Sequence, residues 1–132
     1  MSESIIRAEL ACPVERVWTV VTALSCQDWR SDIERVKVTG AASFVEYAKS
    51  GIATTFIITR WEPPFHWAFD MDNENMSGHW TGEFRTIGKQ KCEIIFTERI
   101  TAKKMWMRPF VGLYLKKQQK QYLSDLRQAL GL

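Results

Sequence analysis

The chain has 132 residues, 45% hydrophobic and 25% charged, a balance that excludes a disordered chain and predicts one hydrophobic core, hence one domain over residues 1–132. Its net charge of +3 is too small for a nucleic-acid-binding footprint, so no nucleic-acid partner is expected. MSESIIRAEL is broken by Glu3, Arg7 and Glu9, and no run approaches the roughly 18 apolar residues of a membrane span, which predicts neither a secretory signal nor a span and places the protein in the cytoplasm.

The segment IIRAEL alternates apolar and polar residues as a half-buried strand does. In ACPVERVWTVV the period changes. Val14, Val17, Trp18 and Val21 share one helical face, and Pro13 stands in the first turn, where a missing N–H costs nothing. Ser25 can cap a short second helix carrying Trp29, after which the chain returns to strand from Ile33 to Val38. From there to about residue 101 every segment reads as strand, punctuated by turn chemistry at Gly40, Ser50-Gly51, Pro63-Pro64, Asp72-Asn73 and Gly88-Lys89. Neither proline of the pair can donate to a ladder, so the strand Phe56–Glu62 stops there and the strand Phe65–Met71 begins anew. The last segment, from about Met107 to Leu130, is helix-compatible, and roughly 24 residues at about 1.5 Å each make a rod of about 36 Å, enough to cross the sheet. A strand, two short helices, a meander and a long helix predict an α+β domain whose sheet buries one face against the helices.

Cys12, Cys26 and Cys92 are odd in number and far apart, with no C-x-x-C pair, which predicts buried free thiols and neither a disulfide framework nor a cysteine-based metal site. No metal and no covalent cofactor is expected. Charge is unevenly placed: Arg99, Lys103, Lys104, Arg108, Lys116, Lys117 and Lys120 follow one another between Glu98 and Asp125 without an acidic residue.

Several of these stretches, in this order, resemble the START-like or SRPBCC superfamily, which includes the polyketide cyclase/dehydrase and lipid transport proteins and the birch-pollen-allergen relatives. CPVERVWTVV after an apolar strand resembles the family's opening, and QDWRSDIERVKV resembles its second helix and strand. ITRWEPPFHWAF is similar to its aromatic corner before two prolines, and YLSDLRQAL to its usual helix ending. The resemblance covers nearly the whole chain. It implies a helix-grip fold, a curved antiparallel sheet wrapped around the long C-terminal helix with a cavity between them. It implies little about activity, since members bind sterols, lipids, aromatic polyketides or plant hormones, some catalyse cyclisation or dehydration, and others bind a chaperone.

Alternation along each strand predicts which side chains face the helix. GHWTGEFR places Trp80, Gly82 and Phe84 on one face, and CEIIFTERI sends Ile94, Phe96, Glu98 and Ile100 inward, a carboxylate among them. In WAFDM the inner set is Trp67, Phe69 and Met71; in TFIITRWE it is Phe56, Ile58 and Arg60, with Trp61 opposite, at the sheet rim beside the prolines. On the long helix Val111, Tyr114, Leu115, Gln118, Tyr122, Leu126 and Ala129 follow helical spacing. Gln118 interrupts that stripe, and a buried glutamine needs partners that a water- or ligand-filled cavity supplies, unless it turns to the edge. The candidate ligand-binding residues are Phe56, Ile58, Trp67, Phe69, Trp80, Phe84, Ile94, Phe96, Glu98, Val111, Tyr114, Leu115 and Gln118. Packed solid they are an ordinary core; with a gap between sheet and helix they line an apolar pocket.

Glu98 and Arg60 are the charged residues expected nearest that pocket, as a mutual ion pair or in contact with a polar ligand group, and they are the weak candidates for catalysis. His66 and His79 read as outward-facing, and there is no G-x-S-x-G and no Gly-rich phosphate loop, so an enzyme of this chain has only Glu98, Arg60, Tyr47 or Tyr114 to work with. KKMWMRPF, Lys103 to Phe110, mixes bulky apolar and basic residues, which suits a gate at a pocket mouth, transient contact with an anionic membrane surface, or a loop folded inward. The reading that follows is a binder of a small hydrophobic or amphipathic molecule of lipid, sterol or aromatic polyketide type. Its alternatives are a cyclase or dehydratase using the same cavity, and a protein-interaction or stress-response module without a physiological ligand.

Overall fold

Seven strands form one curved antiparallel sheet in the computed structural model, which describes residues 1–132. In chain order they are β1 (Ser2–Leu10), β2 (Ile33–Gly40), β3 (Ser43–Ala48), β4 (Ala53–Glu62), β5 (His66–Asp72), β6 (Met76–Gly88) and β7 (Lys91–Ala102). The helices are α1 (Val14–Thr22), between β1 and β2, and α2 (Val111–Leu130), which is preceded by a 3₁₀ turn, Met105–Phe110. The strand order β1-β7-β6-β5-β4-β3-β2 is a meander closed by β1, which pairs with β7 from Ser2 opposite Ile100 to Leu10 opposite Cys92. This is the α+β helix-grip arrangement.

The strands end where turn residues stand. After β5, the backbone N–H groups of Asn75 and Met76 donate to Asn73 Oδ1 at 2.8 and 2.9 Å, an Asx turn that leads directly into β6. Pro63 and Pro64 separate β4 from β5. α2 ends at Gly131, whose positive φ of 73° lets its own N–H and that of Leu132 reach back to the carbonyls of Gln128 and Arg127; a Cβ there would strain the cap.

Two segments differ from the sequence expectation. The residues expected to form a short second helix make isolated turns, closed by Cys26 N–H to Ala23 O and Arg30 N–H to Gln27 O. Propagation fails because Gln27 turns back, donating to the Ala23 carbonyl at 2.8 Å, and Ser31 is tied to α2 through Asp125. The long helix begins at Val111 and not near Met107, because Pro109 lies within the 3₁₀ turn, where its missing N–H removes no α-helical bond.

α1 and the C-terminal part of α2 close one end of the sheet into a solid core, where Leu10, Val17, Phe84, Cys92, Leu126 and Leu130 are at most 1% exposed. Cys12 and Cys92 are buried free thiols there, and burial pushes the Cys92 thiol up to about 11. Cys26, expected to be buried, is exposed on the turn after α1.

Candidate functional site

Cross-strand register builds the site in rows. Ile58, Phe69, Trp80, Glu98 and Ser4 follow one another across five neighbouring strands, and Trp61, Trp67, Gly82, Phe96 and Ile6 form the next row. Phe69 and Trp80 stack with ring centres 4.8 Å apart, and Trp80 leans on Phe96 at 4.9 Å. Gly82 makes this possible: a Cβ at that position would run into the Trp80 indole. Between these aromatics and α2 lies a cavity of about 140 Å³.

One wall of the cavity is polar. Arg30, from the turns after α1, donates through Nη1 to Glu46 Oε2 at 2.6 Å, has Asp32 at 3.4 Å and lies over the Tyr122 ring at 5.3 Å. Asp125 on α2 holds this loop in place, accepting from both the backbone N–H and the hydroxyl of Ser31 at 2.8 Å. Burial alone would raise the Asp125 carboxyl, but those donors keep it below the usual carboxylate range. Burial by itself would lower the Arg30 guanidinium; Glu46, Tyr122 and Asp32 outweigh it and hold Arg30 firmly charged. Glu98 has no such donor. Burial first, and the neighbouring Glu46 second, push its carboxyl up to about 7, with Arg30 only partly opposing. Burial also raises the Tyr122 phenol well above its ordinary value.

Of the sequence candidates, Phe56, Trp67, Phe69, Trp80, Ile94, Phe96, Glu98 and Gln118 meet around this cavity. Five others stand elsewhere. Phe84 is in solid core, edge-on to Trp18 with ring centres 5.0 Å apart, and Leu115 is fully buried there as well. Ile58 is half-buried and packs against the core without lining the cavity. Val111 and Tyr114 line a second, open groove of about 350 Å³ beside the 3₁₀ turn, together with Trp106 and Phe110.

Arg60 is a correction. It is exposed and paired with Glu62, far from the expected pairing with Glu98. The cause is a bulge: Ile58 pairs with Phe69 and Arg60 with Ala68, so Thr59 is the extra residue and the facing reverses beyond it. Trp61 therefore lies on the inner face at the sheet rim, half exposed, with its ring centre 5.2 Å from Trp18 and 6.1 Å from Trp67. On α2 the buried glutamine with partners is Gln119, one position beyond Gln118; it accepts from the Ser4 hydroxyl at 2.7 Å and donates to the Ser4 carbonyl at 3.1 Å.

The sequence reading missed Arg30, Glu46 and Tyr122 as site residues. Glu46 was within reach of it, because Phe44 and Glu46 are two apart in SFVEYA and share a face. Tyr122 was within the helical stripe already identified. Arg30 lies in a loop, where no period points anywhere.

No group of three or more His, Cys, Asp or Glu side chains is placed to hold a metal ion, and His79 faces outward against Asp70. No helix is long and apolar enough to cross a membrane.

The model of the polyketide cyclase/dehydrase and lipid transport family matches residues 3–131, and the chain belongs to that family. Its fold is similar to that of a conserved protein from Geobacillus kaustophilus, with a TM-score of 0.88 and 12% identity over 98% of this chain and 95% of that one. A START superfamily protein from Mycobacterium smegmatis gives a TM-score of 0.84 and 11% identity, covering 96% of this chain and 95% of that one. The Zhui aromatase/cyclase of a Streptomyces species gives 0.80 and 13%, covering 95% of this chain and 90% of that one. No curated protein sequence matches the chain. At these identities the structural likeness establishes the fold; membership of the family supports a ligand-binding or cyclase-type role.

Proposed function

We propose that the chain is a single domain that takes up a small hydrophobic or amphipathic molecule in the cavity between sheet and α2. The observation that carries this reading is the cavity itself, walled by Phe69, Trp80 and Phe96 and left open where a solid core would be filled. Its volume of about 140 Å³ is close to the roughly 150 Å³ that suffices for one benzene ring. A lipid, sterol or polyketide therefore places one ring or short chain there and extends beyond it. Met76 lines both this cavity and the open groove, so the extension runs past Met76. Free thiols at Cys12, Cys26 and Cys92 suit a reducing compartment, and cytoplasmic placement is part of the proposal.

A cyclase or dehydratase is the second reading, favoured by one observation: the Glu98 carboxyl, at about 7, lines the cavity, in the range where an acid–base group works at neutral pH. Titration of benzyl alcohol while following tryptophan emission tests the binding reading, and saturable change is expected because Trp67 and Trp80 line the site. Unchanged emission across a panel of apolar probes would refute it. If a turned-over substrate is found, Glu98→Gln should lower turnover by roughly 10²- to 10⁴-fold with little change in affinity in the enzyme case, and far less if Glu98 only binds.

The outer surface supports a docking face for anionic membranes. Trp106, Phe110 and Leu113 are 70%, 62% and 74% exposed. Lys104, Arg108, Lys116, Lys117 and Lys120, all exposed, stand around them without an acidic neighbour in sequence. At about 1 kcal/mol per cation that reaches the headgroups, even three give salt-sensitive binding, while the aromatics enter the interface. Sedimentation with phosphatidylserine-containing vesicles should show binding that salt removes and that Trp106→Ala/Phe110→Ala weakens several-fold. Equal recovery with neutral vesicles, or burial of Trp106 in a concentration-dependent dimer, would remove the idea.

A further inference from the structure

We infer that this cavity, taken as the ligand site proposed above, selects a ligand whose ring-sized apolar body ends in an amine. The charged side chains lining it are Arg30 on one side of the ledger and Asp32, Glu46 and Glu98 on the other. The terminal nitrogens of Arg30 are already engaged by Glu46 and Asp32, and its Nε is covered by protein and bonded to nothing. The indole N–H of Trp67 is covered in the same way. The one cation of the lining is therefore taken up by its own carboxylates, and the donors left to the cavity are the uncharged Gln118 amide and Tyr122 hydroxyl, whereas Glu98 presents a carboxyl that no protein donor occupies.

A ligand carboxylate would add a fourth negative group to this wall. An alcohol would gain one hydrogen bond to Glu98. An ammonium gains a charge-assisted bond to the carboxylate beside Trp80, the neighbour of Glu98 in its row.

The groups that face Glu98 decide how uptake depends on pH. They are Arg30 from the turns after α1, Glu46 from β3 and Tyr114 from α2, with Asp32 and Tyr122 lining the same cavity. Ser4 lies opposite on β1, engaged with Gln119, and the positions on β5 and β6 in this row are Phe69 and Trp80, which do not titrate. Arg30 stays charged and both phenols are raised by burial. The proton in play is thus that of Glu98: an ammonium enters, the carboxyl O–H releases its proton to solvent, and an ion pair remains. Affinity for the amine therefore rises with pH until Glu98 is ionised in the free protein, and then levels.

Calorimetric titrations with benzylamine, benzyl alcohol and benzoate, three probes of one ring and equal reach, test this. From about pH 5.5 to about pH 7 the benzylamine affinity should rise roughly tenfold and then flatten, with proton release visible as a buffer-dependent heat. Benzyl alcohol should be nearly insensitive to pH, and benzoate should bind at least about 30-fold more weakly than the amine near pH 8. Glu98→Gln should abolish the amine-over-alcohol preference, whereas Arg60→Ala, on the outer face, should leave every value unchanged. Benzoate binding as well as benzylamine, an amine affinity flat in pH, or a preference that survives Glu98→Gln would overturn the inference while leaving the ligand site standing. Failure of all three probes to bind the folded protein would overturn the site as well.

Discussion

Arg30→Met should destabilise the protein by about 3 kcal/mol, lowering its melting temperature by roughly 10 °C. The side chains of Arg30 and Glu46 are only 11% and 15% exposed and meet at 2.6 Å. Removing the guanidinium leaves Glu46 close to Glu98 in a poorly hydrated wall without a counter-charge. Uncompensated burial of a carboxylate costs several kcal/mol, and partial protonation or water entering the cavity recovers some of it. The double variant Arg30→Met/Glu46→Leu should regain most of the loss, because a buried pair replaced by well-packed apolar groups is close to neutral. Chemical denaturation of the two variants and the parent decides it. A loss below about 0.5 kcal/mol for Arg30→Met would mean that the pair behaves as a solvated surface bridge.

Glu98→Gln should act in the opposite direction and only at higher pH. The carboxyl stands at 4.5 without the protein environment and is pushed up to about 7 by burial. Below the lower value it is protonated both folded and unfolded, and the parent suffers no penalty. Between the two values the unfolded chain ionises while the folded one keeps its proton, so the parent loses stability as pH rises. Above about 7 both forms are ionised and the full penalty, roughly 3 kcal/mol for a shift of this size, remains. Glutamine carries no such charge. The variant should therefore match the parent near pH 4 and exceed it by up to roughly 3 kcal/mol near pH 8, as read from denaturation midpoints. A parent that gains on the variant as pH rises would place Glu98 in a favourable ion pair and refute the picture of an unpaired carboxyl.

Much of the architecture behind these effects was legible because strands write their facing into every second residue. Trp67 and Phe69 are not alternate neighbours of Trp80 in sequence, yet each strand's own alternation aimed them at the same space. The inward path of Glu98 followed from Phe96 two residues earlier. The same rule failed at Arg60, since a bulged residue, Thr59, is invisible to a period-2 count and reverses everything after it. On α2 each residue turns the direction by about 100°, so the difference between Gln118 at the cavity and Gln119 under Ser4 is finer than an apolar stripe can specify. Filled core and empty cavity look alike in a sequence: Phe84 and Phe96 are both inward aromatics, and only the packing of Trp18 from α1 against Phe84 separates them. Arg30 was hidden for a different reason. Its position depends on Asp125, distant in sequence, holding Ser31 by two hydrogen bonds.

The central claim is that the space between Trp80, Phe96 and Glu98 receives a small molecule. A crystal structure of the protein soaked with benzyl alcohol reads this directly. The ring should lie in the cavity against Trp80 and Phe96 with its hydroxyl directed at Glu98. A cavity that stays free of the probe at saturating concentration, with Phe69, Trp80 and Tyr122 collapsed into it as ordinary core, would contradict the account.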